Sequence, residues 1–429
     1  MIYFLYNLLL FFASPFYIIR VLWKNGGFKE RFGILALNRP MSHRTGMRQA
    51  QNQNKKIIWI HAVSVGEVIA SKPLISLINK ELPNYEVVLS TITKTGRQMA
   101  KKLTEKISYI FYFPFDFAFV IKKVLRKINP SLIVITETEI WPNLLRYSKY
   151  FNIPLVLNNG KISETSFSRY KKIRPLIKQI LNNISIFCMQ TEEDKNKLIQ
   201  LGISPGKITV TGNTKFDLFN VSSEKEPPLK NWNIEGVSPV IVAGSTHPKE
   251  EEAILEAFKE IIKKFSEAIL ILVPRHPERT PEIENLIKEK GYSHIRRTKM
   301  NSSKVKEKII LIDVIGELSK IYSVADIVFV GGSLIPIGGH NLLEPAFLSK
   351  PIITGPHTFK QKDMVELLKK GRGLIQVAND EQLKKELIDL LSSPDKRKKL
   401  GENAYNTAMS NQGAGRKNFE AIEKNLHKF

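Results

Sequence analysis

Short acidic motifs, basic turns and a paired-glycine loop recur along this chain where apolar runs end, and each carries residues that could do chemistry. In HAVSVGE, the run Ile57–His61 leads into a turn and Glu67. Spacing allows two roles for this acid. Ser64 and Glu67 match a capping box at a helix start, and a carboxylate at a strand's end could also take a proton as a general base. In ITETEIWPN, Glu137 and Glu139 are two residues apart in front of Trp141-Pro142. If the strand continues through them, both acids share one face of a sheet; the alternative is a solvated strand end. GNTKFD supplies Asn213, Lys215 and Asp217. Lys215 is either a surface lysine or a compact charge for a phosphate.

The second half holds groups suited to an anion. AGSTHPKEEE follows an apolar run, and Gly244, Ser245 and Thr246 could offer backbone N–H groups at a helix N-terminus. Pro248 fits the first turn, and Glu250–Glu252 could serve only to complement the helix dipole. In LVPRHPER, Arg275 and His276 are fixed between two prolines at a strand end, a placement suited to a base or phosphate. VGGSLIPIGGHNLLEPA is neither a GxGxxG fingerprint nor a P-loop, since no Lys-Ser/Thr follows its glycines. Gly338 and Gly339 permit close backbone approach to a phosphate. Asn341 and Glu344 form a cap pair in which the acid could also meet ribose hydroxyls.

Alternating β-rich and amphipathic runs must position these groups. Strands are expected at 57–61, 87–93, 132–136, 155–157, 184–189 and 208–211, and helices at 67–82, 96–103, 170–182 and 192–201. After a Pro/Ser-rich break, strands are expected at 240–243, 269–273, 309–312 and 327–330, and helices at 250–265, 281–290 and 316–324. Such alternation predicts α/β architecture: two doubly wound parallel-sheet domains, with ligands in the crevice at the carboxyl ends of the strands. The expected layout is an anchor at 1–23, a basic juxtamembrane segment at 24–56, a first domain at 57–218, a linker at 219–238 and a second domain at 239–429. The polar run 39–56 reads as a loop, and the last helix is placed to pack back on the first domain.

With one cysteine, Cys188, an internal disulfide or CxxC site is excluded, and its apolar surroundings make it a core residue. The net charge of +24 suits an anionic membrane surface, a phosphorylated substrate or nucleic acid. No zinc-finger or RRM-like pattern favours nucleic acid. Residues 1–19 carry no charged side chain and would extend about 28 Å as a helix. Arg20, Lys24, Lys29 and Arg31 follow, which predicts a membrane anchor with the body on the cytoplasmic side. Pro15 leaves spanning and lying in the interface both open.

Taken in order, HAVSVGE, TETEIWPN, GNTKFD, GSTHPKEEE, PRHPER, IGELSKIY and GGSLIPIGGHNLLEPA resemble the 3-deoxy-D-manno-octulosonic acid (Kdo) transferases of lipopolysaccharide synthesis. The resemblance spans nearly the whole chain, with a longer polar segment at 39–56 than the family pattern. It implies a GT-B fold, CMP-Kdo as donor, a lipid A precursor such as lipid IVA as acceptor, inversion at the anomeric carbon, and the inner membrane as location. It makes Glu67 the proton acceptor and assigns Glu137 and Lys215 to transition-state stabilisation. Arg275, His276, Gly316, Glu317, Leu318, Asn341, Leu342, Leu343 and Glu344 match its CMP-contacting segments, with Ser245, Thr246, Gly338 and Gly339 as further phosphate contacts. Neither cofactor nor metal is expected, because CMP leaves with one phosphate that Lys215 and a helix N-terminus can meet. The nearest alternative is another GT-B enzyme, either a UDP-sugar transferase or an epimerase, the latter disfavoured by the anchor. A non-catalytic nucleotide or nucleic-acid binder fits the charge but not acids in the cleft.

Overall fold

A computed structural model of the chain describes residues 2–36, 55–103, 105–219, 239–300 and 305–426. The polar run at 39–56 lies outside them except for its last two residues, as does the linker at 219–238 except for Phe219. Two compact units form, one from residues 1–218 with 412–429 and the other from 219–411.

The first unit is built on β1 (Lys56–His61), β2 (Tyr85–Thr91), β3 (Tyr109–Tyr112), β4 (Leu132–Thr136), β5 (Leu155–Gly160), β6 (Ile186–Met189) and β7 (Ile208–Val210). They pair in parallel in the order β3-β2-β1-β4-β5-β6-β7. Every residue of β4 is buried, as expected of a strand covered by helices on both faces. Trp59 on β1 is fully buried, and its Nε1–H donates to Ser90 Oγ at 2.8 Å. Cys188 is also buried, and burial pushes its thiol up to about 12. Strands β2 and β3 are added on one side of β1 and β4 to β7 on the other, so the carboxyl ends of β1 and β4 flank a topological switch point.

The helix at 170–182 divides into Glu164–Lys172 and Arg174–Leu181. Pro175 begins the second piece and supplies no N–H to continue the first. The last helix, Ala414–Leu426, packs on helix Val65–Glu81 in the first unit, burying Phe419 and Ile422. Asp217 fixes its start, with Oδ1 accepting from Gly413 N at 2.6 Å and Oδ2 from Gly415 N at 2.5 Å.

The N-terminal helix, Ile2–Asn25, lies on this unit by a polar edge. Tyr6 donates to Asp116 Oδ2 at 2.9 Å, Asn7 pairs with Asn143, and Tyr3 accepts from Asn183. Phe4, Leu9, Phe11, Phe12, Ile19 and Trp23 remain exposed. Among the described residues no helix is long and apolar enough to cross a membrane.

In the second unit, β8 (Val240–Thr246), β9 (Ile269–Pro274), β10 (His294–Arg296), β11 (Ile309–Leu311), β12 (Ile327–Val330), β13 (Ile352–Thr354) and β14 (Leu374–Gln376) form a parallel sheet. The order is β10-β11-β9-β8-β12-β13-β14, which puts the switch point at β8. Leu255, Phe258, Leu270, Leu272 and Phe329 lie in its core. The helix expected at 316–324 is shorter, Leu318–Tyr322, because Gly316 has φ +96° and lies outside helical backbone.

Candidate active site

The first unit gathers Glu67, Glu137, Glu139 and Lys215 near the carboxyl ends of β1 and β4. Helix Val65–Glu81 starts directly after β1, which puts Glu67 in its first turn. The Ser64 hydroxyl does not cap this helix by accepting an N–H. It donates to Glu67 Oε1 at 3.0 Å instead, while Glu67 Oε2 accepts from Val63 N at 2.7 Å. The capping box is therefore not formed: the carboxylate reaches past the N-cap residue to Val63, and the serine supports the carboxylate. Glu67 is 7% exposed. Burial pushes its carboxyl up to about 7, Glu137 and Glu139 push the same way, and the two hydrogen bonds oppose them. Such a carboxyl is divided between its two forms near neutral pH, as a general base requires.

β4 does not continue through the acidic pair. It stops at Thr136, and Glu137 adopts φ +60° with its N–H donated to Asn158 O at 2.8 Å. The left-handed residue breaks the two-residue alternation on which a shared sheet face depends. Glu139 is held above the ordinary carboxylate range by burial and by Glu137.

The GNTKFD turn is the short 3-10 helix Thr214–Leu218. Asn213 Oδ1 accepts from Lys215 N, Asn159 Oδ1 accepts from Thr214 N, and Phe216 is buried. These contacts aim Lys215 at Glu137, Nζ to Oε1 3.6 Å, with both side chains partly exposed. A pair this loose adds little stability, so its charges are available to a ligand. His61, at the end of β1, is not a rival base: its ring is buried against Phe113, and burial lowers its pKa to about 3.

The second unit holds a pocket of about 350 Å³ at the carboxyl ends of β8 and β9. Arg275, Ser245, His340, Asn341, Glu344 and Gly316 are among its lining residues, and Leu318 also borders it. Arg275 is exposed and forms no ion pair among the described residues. Ser245 reaches the pocket because it sits at a bulge with φ +56° where β8 shifts register against β9. Asn341 Oδ1 accepts from Leu343 N, and its Nδ2 donates to Glu344 Oε1. Glu344 Oε2 accepts from Ser319 Oγ at 2.7 Å. Asn341 thus precedes helix Leu343–Phe347 and holds Glu344, in its first turn, as a fixed carboxylate facing the pocket.

Other expected contacts fall elsewhere. The GST segment continues β8, and Thr246 is buried, so no free helix N-terminus stands there. Gly338 and Gly339 have the expected positive φ, but both N–H groups donate to Gly332 O and are lost to a phosphate. Leu342 and Leu343 are core side chains, so only their main chain could meet a donor. Glu317 pairs with Arg297 at 2.8 Å, and exposed His276 pairs with Glu278 at 3.2 Å.

Glu250 is the largest departure from the sequence reading. It is fully buried, and its carboxylate accepts from the backbone N–H groups of His247, Gly332, Ser333 and Leu334. This acid fills the anion-binding nest that the glycine-rich loop would otherwise offer. Gly331 permits the approach: a Cβ there would lie 2.6 Å from Ser245 O and 2.9 Å from Glu250 Oε2. Glu251 is likewise buried and pairs with Arg279 at 3.0 Å, so neither acid serves merely to balance a dipole. Glu250→Ala is expected to destabilise the protein by at least about 3 kcal/mol, since it strands four backbone donors, three of them buried. Urea unfolding of the variant beside wild type checks this.

Asp116 was not signalled by any motif. It is buried, with Oδ2 accepting from Asn143 N and Oδ1 from Leu144 N, each at 2.9 Å. It therefore starts helix Pro142–Tyr150 and ties the WPN turn to Tyr6 of the N-terminal helix. An isolated acid in the aromatic run FPFDF was the available signal.

Two seven-stranded parallel sheets, each with candidate ligand-binding groups at its switch point, define the GT-B class of fold. Solved structures agree on the fold. A glycosyltransferase from Rickettsia africae matches with TM-score 0.57 at 19% identity, over 87% of this chain and 99% of that one. UDP-GlcNAc 2-epimerase from Neisseria meningitidis, bound to UDP-GlcNAc, matches with TM-score 0.61 at 16% identity, over 86% and 100%. Residues 27–218 match the family described as 3-deoxy-D-manno-octulosonic-acid transferase (kdotransferase), and residues 239–407 match glycosyl transferases group 1. The chain is 36% identical to the 3-deoxy-D-manno-octulosonic acid transferase of Haemophilus influenzae, over 83% of this chain and 84% of that one. It is 32% identical to the enzyme of the same name from Chlamydophila psittaci, over 92% and 90%. The protein belongs to the Kdo transferase family.

Proposed function

We propose that this enzyme transfers Kdo from CMP-Kdo to a hydroxyl of a lipid A precursor such as lipid IVA, with inversion and with Glu67 as proton acceptor. The observation that carries the reading is a buried carboxyl of pKa about 7 beside Glu137 and Glu139, at the switch point of the first unit. In this reading the second unit holds the donor. Arg275 meets the phosphate, Glu344 accepts from ribose hydroxyls, and the Asn341–Leu343 main chain borders the nucleotide. Attack by the acceptor hydroxyl forms the glycosidic bond as the bond from the anomeric carbon to the phosphate oxygen breaks. Glu67 takes the hydroxyl proton, and CMP leaves with the bonding electrons. Glu137 stabilises positive charge growing on the sugar, and Lys215 the negative charge growing on the phosphate.

A metal is not needed in this scheme, because a single phosphate leaves and cationic side chains are at hand. Addition of EDTA is expected to leave transfer unchanged when preformed CMP-Kdo is supplied; a strict Mg²⁺ requirement would contradict it.

Attachment at the cytoplasmic face of the inner membrane is part of the same reading. The N-terminal helix binds its own unit by Tyr3, Tyr6 and Asn7 and leaves an apolar face open, a pattern that suits lying in the lipid interface. The basic excess suits anionic lipid and the phosphates of the acceptor.

The test is incubation with CMP-Kdo and a tetra-acylated lipid A precursor, followed by mass spectrometry. A product heavier by one or more Kdo residues is expected. An unchanged acceptor, with transfer from a UDP-sugar instead, would overturn the donor assignment.

A further inference from the structure

His247 follows β8, and His340 follows the Gly338-Gly339 turn, yet the two rings meet beside the donor pocket. Their planes are 3° apart with centroids 5.2 Å apart, and Nε2 lies 2.9 Å from Nε2. Two neutral imidazoles make this contact only when one Nε2 carries a proton and the other does not. Among the described residues neither ring has a second hydrogen-bond partner. The Nε2 edge of His340 also lies against Gly332, where a Cβ would stand 2.9 Å from that nitrogen. Nδ1 is then the ring nitrogen of His340 left for a ligand in the pocket it lines.

The surroundings are cationic. Arg275, Arg279, Lys360 and the ring of His276 act on the pair. Of the nearby acids, buried Glu250 is bonded to the backbone N–H groups of His247 and residues 332–334, Glu278 faces His276, Glu251 and Glu282 face Arg279, and Glu344 is bonded to Asn341 and Ser319. Burial first, and then His247, Arg275, Lys360 and His276, lower His340 to about 4. His247 is lowered by burial first, then by His276, Arg279, Arg275 and Lys360. Without ligand the pair is therefore neutral at physiological pH, inside a ring of positive charge.

We propose that the His247–His340 pair takes up one proton when a nucleotide phosphate enters the pocket, with His340 donating Nδ1–H to the phosphate and His247 positioning its ring. This deepens the donor reading above and rests on it. The balance is simple: a neutral pair and one solvent proton give a singly protonated pair whose charge faces the phosphate. CMP gains one negative charge as the glycosidic bond breaks, so the protonated pair favours the departing phosphate over the bound donor. An anion within a few ångströms raises an imidazole pKa by about 1–3. That brings His340 from about 4 to about pH 5–7.

Calorimetry with the methyl ester of cytidine 5′-phosphate tests this, because its single charge does not titrate in that range. In buffers of differing ionisation enthalpy, wild type is expected to take up about 0.2 to 0.9 of a proton on binding at about pH 5.5 and almost none at about pH 8. The ester should bind about 1.3- to 30-fold tighter at the lower pH. Cytidine, lacking the phosphate, should give no uptake. H340Q should lose both the uptake and the pH dependence, while H276Q keeps the uptake. If H340Q does not fold, H247Q removes the same hydrogen bond from the other side and carries the test. Zero uptake by wild type that binds the ester, or undiminished uptake in H340Q, would overturn the proposal. Failure of wild type to bind the ester at either pH would overturn the donor reading itself.

Discussion

Glu67→Gln is expected to lower kcat for Kdo transfer by about 10²- to 10⁴-fold, the range set by loss of a general base. Glutamine keeps an oxygen for Val63 N–H, so the start of helix Val65–Glu81 is retained. What it loses is the power to accept the acceptor's proton. Donor binding, assigned to Arg275 and the Asn341–Glu344 segment, is expected to be unchanged by calorimetry. Single-turnover transfer measured beside CMP binding separates the two effects. Near-normal turnover in this variant would refute the base assignment, whereas loss of both activities would point to misfolding.

Lys215→Met carries the second large effect, a fall in kcat of about 10²- to 10³-fold with KM little changed, as expected when charge is met only in the transition state. The structure separates this from a stability effect. The Lys215–Glu137 pair is long and partly exposed, so its removal should change unfolding free energy by no more than about 1 kcal/mol. Because the two side chains act together, Glu137→Gln added to Lys215→Met should cost less than the sum of the single losses. Unchanged kcat with raised KM would make Lys215 a ground-state binding group instead.

Strand–helix alternation made the sheet architecture of both units legible, since parallel strands covered on both faces read as short apolar runs. β3 was missed, as were β10, β13 and β14. YIFY of β3 sits in a longer aromatic stretch and HIR of β10 carries two polar residues, while β13 and β14 are three residues each, a length at which β7 and β11 were nonetheless legible. The acids at the ends of β1 and β4 were visible because a chemical group at the end of an apolar run needs no long-range information. Long-range partners were not visible. Glu250 reads as a dipole-balancing acid in GSTHPKEEE, yet three of its hydrogen-bond donors come from residues 332–334, more than eighty positions away. The same limit hid the His247–His340 contact and the role of Asp217 in starting the last helix. The paired glycines at 338 and 339 have the positive φ their type suggested. Their N–H groups close a turn on Gly332 O, and sequence alone cannot distinguish that from an anion cradle.

The account turns on Glu67 as a base poised near neutrality, and the pH dependence of kcat at saturating donor and acceptor tests it most directly. Only ionised Glu67 accepts a proton, and its pKa is raised to about 7 rather than left near 4.5. The rate is therefore expected to fall about tenfold per pH unit below about pH 7. Glu139→Gln should move that inflection to lower pH by removing one of the charges that raise it. A rate that stays flat down to about pH 5, the ordinary carboxylate range, would contradict it.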